Sequence, residues 1–202
     1  MSTHTGDYSR SYRSFIHYTT ALDMEVIGDE GRNRHIRFGQ VGAVGWFDLV
    51  TWPRRLIITG DIGDYMFAHN GDLFDLFEQT DHGHINPHYW ATLLRATGHP
   101  IREVSDQKVI HHAVRDFWRR RGNSIGENAE LFRAIRDEVL AQAGHGGERE
   151  ALEEFCHRLT DGTLFTFPDS ATWDLDDWSI HYLRACHAIV WGIGRYREAS
   201  NP

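Results

Sequence analysis

The first third of the chain places apolar and polar residues in short runs that predict β-strands. Five apolar or β-branched runs are bounded by glycine, proline and acidic turn residues: residues 15–29, 36–44, 45–51, 56–59 and 65–68. Pro53 ends the third run, because proline has no N–H to donate to a strand ladder. The fourth run leads into the turn sequence Gly60-Asp61-Ile62-Gly63-Asp64. Short strands joined by tight turns predict an antiparallel meander.

The periodicity changes after residue 70, where apolar residues recur every three or four positions and predict amphipathic helices. These helices are predicted over residues 72–78, 88–97, 105–121, 127–143, 148–159 and 178–195. Asn86-Pro87 marks one start, since asparagine caps a helix and proline fits its first position. Gly98 ends that helix.

Strands followed by helices predict an α+β protein, with an N-terminal antiparallel β-meander and a mainly helical C-terminal half packed on the sheet. We expect a flexible polar arm over residues 1–14. The rest, residues 15–202, is expected to form a single domain, with the sheet in residues 15–70 and the helical part in residues 71–197.

Composition narrows the class of protein. The 202 residues carry a formal charge of −8, which argues against broad, non-specific nucleic-acid binding. No apolar run approaches the roughly 20 residues that span a bilayer, and the N-terminus lacks the apolar region of a secretory signal. We therefore expect a cytoplasmic protein with Cys156 and Cys186 as free thiols. Fourteen histidines predict solubility or association that changes near pH 6, and oligomerisation stays open.

Asp61 and Asp64 are the first candidates for chemistry. With His69, they would serve as catalytic acid and base, or as ligands of a divalent metal, in a hydrolase. The alternative is turn chemistry, in which aspartate accepts backbone N–H groups and glycine supplies a positive φ. The turn interpretation is favoured, because such turns are far commoner than metal sites.

His82, His84 and His88 form a second candidate, because closely spaced imidazoles bind zinc and other transition metals. Their spacing matches no closed structural zinc site, and no cysteine lies nearby. A histidine-rich loop before a helix is the favoured interpretation.

A third candidate is the pair Arg115 and Arg119 beside Trp118, because guanidinium groups bind phosphate and aromatic rings stack on bases. The simpler explanation is a favourable interaction between arginines and a helix C-terminus. A ligand pocket lined by Trp46, Trp52 and Trp191 is a related hypothesis.

Four motifs, in order, resemble a family of uncharacterised bacteriophage and prophage proteins. They are FDLVTWP and ITGDIG around the acidic turn, INPHYW at the helix start, and HAIVWGI near the C-terminus. The family usually has glycine after the proline of the first motif and methionine at the position of Ile62. The resemblance covers most of residues 38–196 and implies a protein of an infected or lysogenic bacterium. It implies no established activity.

Three functions remain as hypotheses. The first is a phage accessory protein that binds and inhibits a host protein, in antiviral defence for example, through an acidic and aromatic surface. The second is a metal-assisted hydrolase of a phosphate-containing nucleotide signal. The third is a binder that sequesters such a nucleotide without turnover. The absence of a complete catalytic motif favours the first.

Overall fold

The computed structural model describes residues 8–78, 85–142 and 146–200. The chain divides into two compact units, one made of Met1–Ile101 with Trp178–Pro202 and the other of Arg102–Asp177. The predicted α+β class is confirmed: an antiparallel sheet lies in the N-terminal half and most helices follow it. The two units differ from the single domain expected from the sequence.

The first unit contains a six-stranded antiparallel sheet whose strands follow chain order. The strands are β1 Met24–Glu30, β2 Asn33–Phe38, β3 Phe47–Trp52, β4 Arg55–Gly60, β5 Tyr65–Ala68 and β6 Leu94–Thr97. Four shorter strands form two further ladders, in which β7 pairs with β10 and β8 with β9: β7 Arg102–Val104, β8 Cys156–Arg158, β9 Leu164–Thr166 and β10 Asp176–Trp178. The meander is therefore present, with one strand more than the sequence predicts.

The helices are α1 Ser9–Thr19, α2 Leu73–Glu78, α3 Pro87–Leu93, α4 Asp106–Arg120, α5 Ile125–Glu138, α6 Glu148–Glu154 and α7 Ile180–Ser200. The cap predicted at Asn86 is present, and α2 is also capped. The Asn86 side chain accepts the N–H of Tyr89, and Asp72 Oδ1 accepts the N–H of Phe74.

The helix α1 corrects the prediction for the N-terminal region, where the sequence indicated a loose arm up to residue 14 and a strand from residue 15. Ser11, Phe15 and Thr19 are buried at helical spacing. The Thr19 hydroxyl donates to the Phe15 carbonyl at 2.9 Å. A polar residue can therefore lie on the buried face, because the helix backbone satisfies its hydroxyl.

Two other helices are shorter than predicted, because strand pairing replaces their last turns. The helix predicted over residues 88–97 ends at Leu93, and Leu94, Ala96 and Thr97 pair with β5. The helix predicted over residues 148–159 ends at Glu154 and is followed by β8, which pairs with β9. In both places a ladder with a neighbouring strand outweighs local helix propensity.

In the first unit, α7 packs on one face of the sheet. At Gly192 the helix approaches the sheet closely: a Cβ there would lie 2.8 Å from Leu49 Cδ1 and 2.9 Å from Phe38 Cε2. Trp191 packs edge-on against Phe38, with ring centroids 5.3 Å apart. The inward-facing apolar residues of β3 and β4, such as Phe47, are also fully buried in this core.

The second unit has its own core, formed by one face each of α4, α5 and α6 together with β9. The buried side chains are Val109, Ala113, Phe117, Leu131, Ile135, Val139, Leu152, Phe155, Phe165, Phe167 and Leu175. Three of its four phenylalanines, Phe155, Phe165 and Phe167, have ring centroids 5.3 to 6.4 Å apart. Such aromatic contacts stabilise a small core beyond the area they bury.

His187 is a buried polar residue at the contact between α1 and α7. Ser11 Oγ donates to the Tyr8 carbonyl at 2.8 Å and lies 2.9 Å from His187 Nε2. Because a hydroxyl has one proton, Nε2 is the donor to Ser11. Among the described residues, His187 Nδ1 has no partner. Burial lowers the pKa of His187 to about 4, from an ordinary value of 6.5.

We predict that Gly192→Ala lowers the free energy of unfolding by about 1 to 3 kcal/mol, because the added methyl group overpacks the core. Gly194→Ala is the matched control, since a Cβ at Gly194 meets nothing within 4 Å. In this helix the control should stabilise by about 0.5 to 1 kcal/mol. Urea unfolding of both variants checks the prediction, and equal effects would contradict it.

We also predict that the free energy of unfolding falls as the pH drops from 6.5 to about 4. These limits are the pKa of His187 in the unfolded state and its pKa in the folded state. In this window the unfolded state binds the proton and the folded state does not, so stability rises with pH. The change attributable to His187 is about 3 kcal/mol over the window. His187→Gln keeps a donor for Ser11 but cannot titrate, so its unfolding curves should lose this part of the pH dependence. An unchanged pH profile would show that His187 does not cause it.

Candidate functional site

Asp61 and Asp64 are both used by the turn that contains them. Asp61 Oδ2 accepts the N–H of Gly45 at 2.7 Å, and its own N–H donates to the Trp46 carbonyl at 3.0 Å. Asp64 Oδ1 accepts the Thr59 hydroxyl. Gly60 has a φ of +133°, and a Cβ there would lie 2.7 Å from the Trp46 oxygen. Gly60 and Asp61 therefore hold the loop before β3 against the acidic turn, and Asp64 closes the turn between β4 and β5.

The predicted histidine candidates have other contacts. His69 Nδ1 accepts the N–H of Gly71 at 3.1 Å, which occupies that nitrogen. His88 packs edge-on against Trp178, with centroids 4.8 Å apart. His82 and His84 lie outside the described residues. Within residues 8–78, 85–142 and 146–200, no three histidine, cysteine or carboxylate side chains lie close enough together to hold a metal ion.

The structure separates the three predicted pocket tryptophans. Trp191 belongs to the aromatic packing of the first core. Trp52 is exposed, and on β3 it follows the alternation that turns Asp48 away from that core. Trp46 precedes β3 and contributes its carbonyl to the acidic turn. Trp52 and Trp191 therefore lie on opposite faces of the sheet.

The other predicted ligand-binding residues, Arg115 and Arg119, do lie together. They are one turn apart on α4, and both are exposed beside Trp118. Trp118 is 54% exposed, and the Arg121 guanidinium carbon lies 3.7 Å from the centroid of its ring. Three arginines and an indole thus share the exposed face of α4 and its end.

The exposed face continues onto α5 through apolar side chains that the sequence reasoning missed. Ile125 is 87% exposed and Phe132 37% exposed, and seven residues place them on one side of α5. Phe117 joins the two helices, with ring centroids 5.6 Å from Trp118 and 5.3 Å from Phe132. We call this set the α4–α5 surface: Arg115, Trp118, Arg119, Arg121, Ile125 and Phe132.

A second polar group on the sheet was also missed. Arg37 donates twice to the buried Asp48, at 2.9 and 2.8 Å, and His35 Nε2 lies 2.9 Å from Asp48 Oδ2. Burial acts to raise the pKa of Asp48, but the bonds from Arg37 and His35 outweigh it and hold that pKa below its usual range. The alternation of side chains along the two strands could have identified this group, because it places all three residues on the face that points away from the core. The group joins β2 to β3 and orients the His35 ring.

Comparisons with known proteins give no match: no family model, no curated protein and no solved structure is significantly similar to the chain. The resemblance to phage proteins therefore stays a prediction. Among the helices of the described residues, none is both long and apolar enough to cross a membrane. The class that the structure itself defines is an α+β protein whose second unit exposes an aromatic and arginine-bearing surface.

We predict that Asp61→Ala lowers the free energy of unfolding by about 1 to 2 kcal/mol, because the buried Gly45 N–H loses its acceptor. Asp61→Asn keeps an acceptor oxygen and should stay within about 0.5 kcal/mol of the native protein. Asp23→Ala is the control, since the Asp23 carboxylate makes no hydrogen bond to any residue that the structure describes. Chemical denaturation measures all three. If Asp61→Ala left the free energy of unfolding unchanged, the carboxylate would not be needed to hold the turn.

Proposed function

We propose that this protein acts by binding another protein, through the α4–α5 surface. The observation that carries the proposal is the exposure of Trp118, Ile125 and Phe132 on two successive helices, with Phe117 between the rings of Trp118 and Phe132 and with arginines beside Trp118. Tryptophan and arginine are the residues most enriched at the centre of protein interfaces. Exposed apolar side chains that are rimmed by polar residues are typical of protein–protein interaction sites.

The arrangement of the acidic turn favours binding over hydrolysis. A hydrolase of the kind considered above needs carboxylates free to bind a metal or to transfer a proton. Here one oxygen of each is committed to the loop: Asp61 to the Gly45 N–H and Asp64 to the Thr59 hydroxyl. Their role in the turn accounts for both residues.

In the setting that the phage resemblance implies, the partner is a host protein that is inhibited when it is bound. The surface carries arginines, whereas the net charge of −8 led us to expect an acidic one. Trp118 with Arg115 and Arg119 also supports a second candidate, the sequestering of a nucleotide, because stacking and phosphate contacts would use the same side chains. Ile125 and Phe132 have no role in that candidate.

We expect immobilised protein to capture its partner from a bacterial extract, and Trp118→Ala to weaken that binding by about 30-fold or more. Trp52→Ala is the matched control, since Trp52 is 39% exposed and lies in the other unit. A photo-crosslinking residue in place of Ile125 should join the partner covalently. Equal capture by both tryptophan variants, or nucleotide turnover with no captured protein, would contradict the proposal.

A further inference from the structure

Arg115 and Arg119 have no acidic partner among the residues of the described ranges. Three other arginines of the second unit do: Arg120 bonds Asp116 and the Thr166 carbonyl, Arg136 bonds Asp137, and Arg149 bonds Asp176. Acidic residues outnumber basic ones in this chain, 29 to 21, so carboxylates are not scarce. Other exposed arginines, such as Arg10 and Arg13, also lack an ion pair within the described residues. Arg115 and Arg119 differ from these because they lie one turn apart beside the exposed Trp118.

The spacing of these arginines concentrates positive charge. Residues four apart on a helix lie side by side, and like charges at that spacing destabilise the helix slightly. Arg121 adds a third guanidinium, held 3.7 Å from the centroid of the Trp118 ring. Although the helix C-terminus favours cations in its last turn, Arg115 lies a full turn earlier. The helix dipole thus explains Arg119 better than Arg115.

We propose that the α4–α5 surface takes an amphipathic segment of its partner that carries carboxylates. The carboxylates bind Arg115 and Arg119, and the apolar side chains of the segment cover Trp118, Ile125 and Phe132. This inference rests on the proposed function, because it names the chemistry of the protein that binds there.

Two observations favour an acidic protein segment over a nucleic acid. Ile125 and Phe132 are apolar and have nothing to contact on a phosphate backbone, whereas leucine-like side chains would bury them. A net charge of −8 also repels a long polyanion more than it repels a segment with a few carboxylates. The arginines then supply orientation and speed of association as well as affinity.

The test uses a dye-labelled helical peptide of about 18 residues, or five turns, with leucine on one face and glutamate beside it. Fluorescence anisotropy measures its affinity for the full chain. We expect Arg115→Glu/Arg119→Glu to weaken binding about 10-fold or more, and salt to weaken it as well. Arg10→Glu/Arg13→Glu, two exposed arginines on α1, is the matched control and should change affinity by less than about twofold. The same peptide with lysine for glutamate should not bind.

Several outcomes would overturn the inference. One is equal affinity of the two double variants, and another is equal affinity for the lysine peptide. Binding of a labelled oligo-dT strand without binding of the peptide would assign the surface to nucleic acid. Dimerisation of the native chain that Arg115→Glu/Arg119→Glu abolishes, again without peptide binding, would assign it to a second copy. Failure of all these ligands would also overturn it. The Trp118→Ala capture experiment decides the proposed function separately.

Discussion

The first unit depends on how closely α7 approaches the sheet. At Gly192 the space between helix and strands is too small for even a methyl group beside Leu49 and Phe38. This approach brings Trp191 onto Phe38, and the same helix contacts α1 through His187 and α2 through Tyr196, whose ring lies 5.6 Å from that of Phe74. A side chain at position 192 would move the helix that these contacts share. Close-packed side chains have little room to relax. The requirement for glycine at position 192 therefore affects the contacts of α7 with α1 and α2 as well as its contact with the sheet.

The bonds that a charged side chain makes within the fold distinguish structural from functional residues more clearly than the residue type does. Asp61 and Asp64 are exposed carboxylates beside glycines, yet each bonds a group that closes the turn. Asp72 likewise pairs with Arg34 at 3.0 Å and caps α2, and these bonds hold its pKa below the usual range although burial acts to raise it. Arg115 and Arg119 lack such partners within the described part of the chain. Because these two arginines also lie beside the exposed Trp118, they are better candidates for binding than Asp61 and Asp64.

Much of the fold could be predicted from the sequence, because most strands and helices show their own periodicity. The strands from residue 45 to residue 68 and the α4 and α7 helices lie close to their predicted positions. The exceptions are set by tertiary contacts. In α1 the buried face includes Ser11 and Thr19, polar residues that the sequence alone predicts to lie on the surface. Leu94 belongs to β6 only because its backbone pairs with that of β5.

The candidate site was predicted only in part, for a similar reason. Arginines beside a tryptophan are visible in the sequence, so Arg115 and Arg119 could be named. Ile125 and Phe132 could not, because apolar residues in a helix are expected to face a core. α5 has two apolar sides: Leu131 and Ile135 are buried, while Ile125 and Phe132 remain exposed. The division between those sides appears only when the helix is seen in place.

On the exposed side of α5, Phe132 packs with one part of its ring against Phe117, whereas Ile125 contributes nothing to the core of the second unit. Burying an aliphatic or aromatic side chain is worth about 1.5 to 3 kcal/mol, and Ile125 gains almost none of this in the free protein. The neighbouring arginines repel one another slightly and reduce helix stability further. A bound segment that covers Ile125 and pairs with Arg115 would bury the apolar side chain and reduce the repulsion between the arginines. The stability of the free protein therefore gives no reason for Arg115 or Ile125, whereas binding explains the apolar and the charged residues of the surface together.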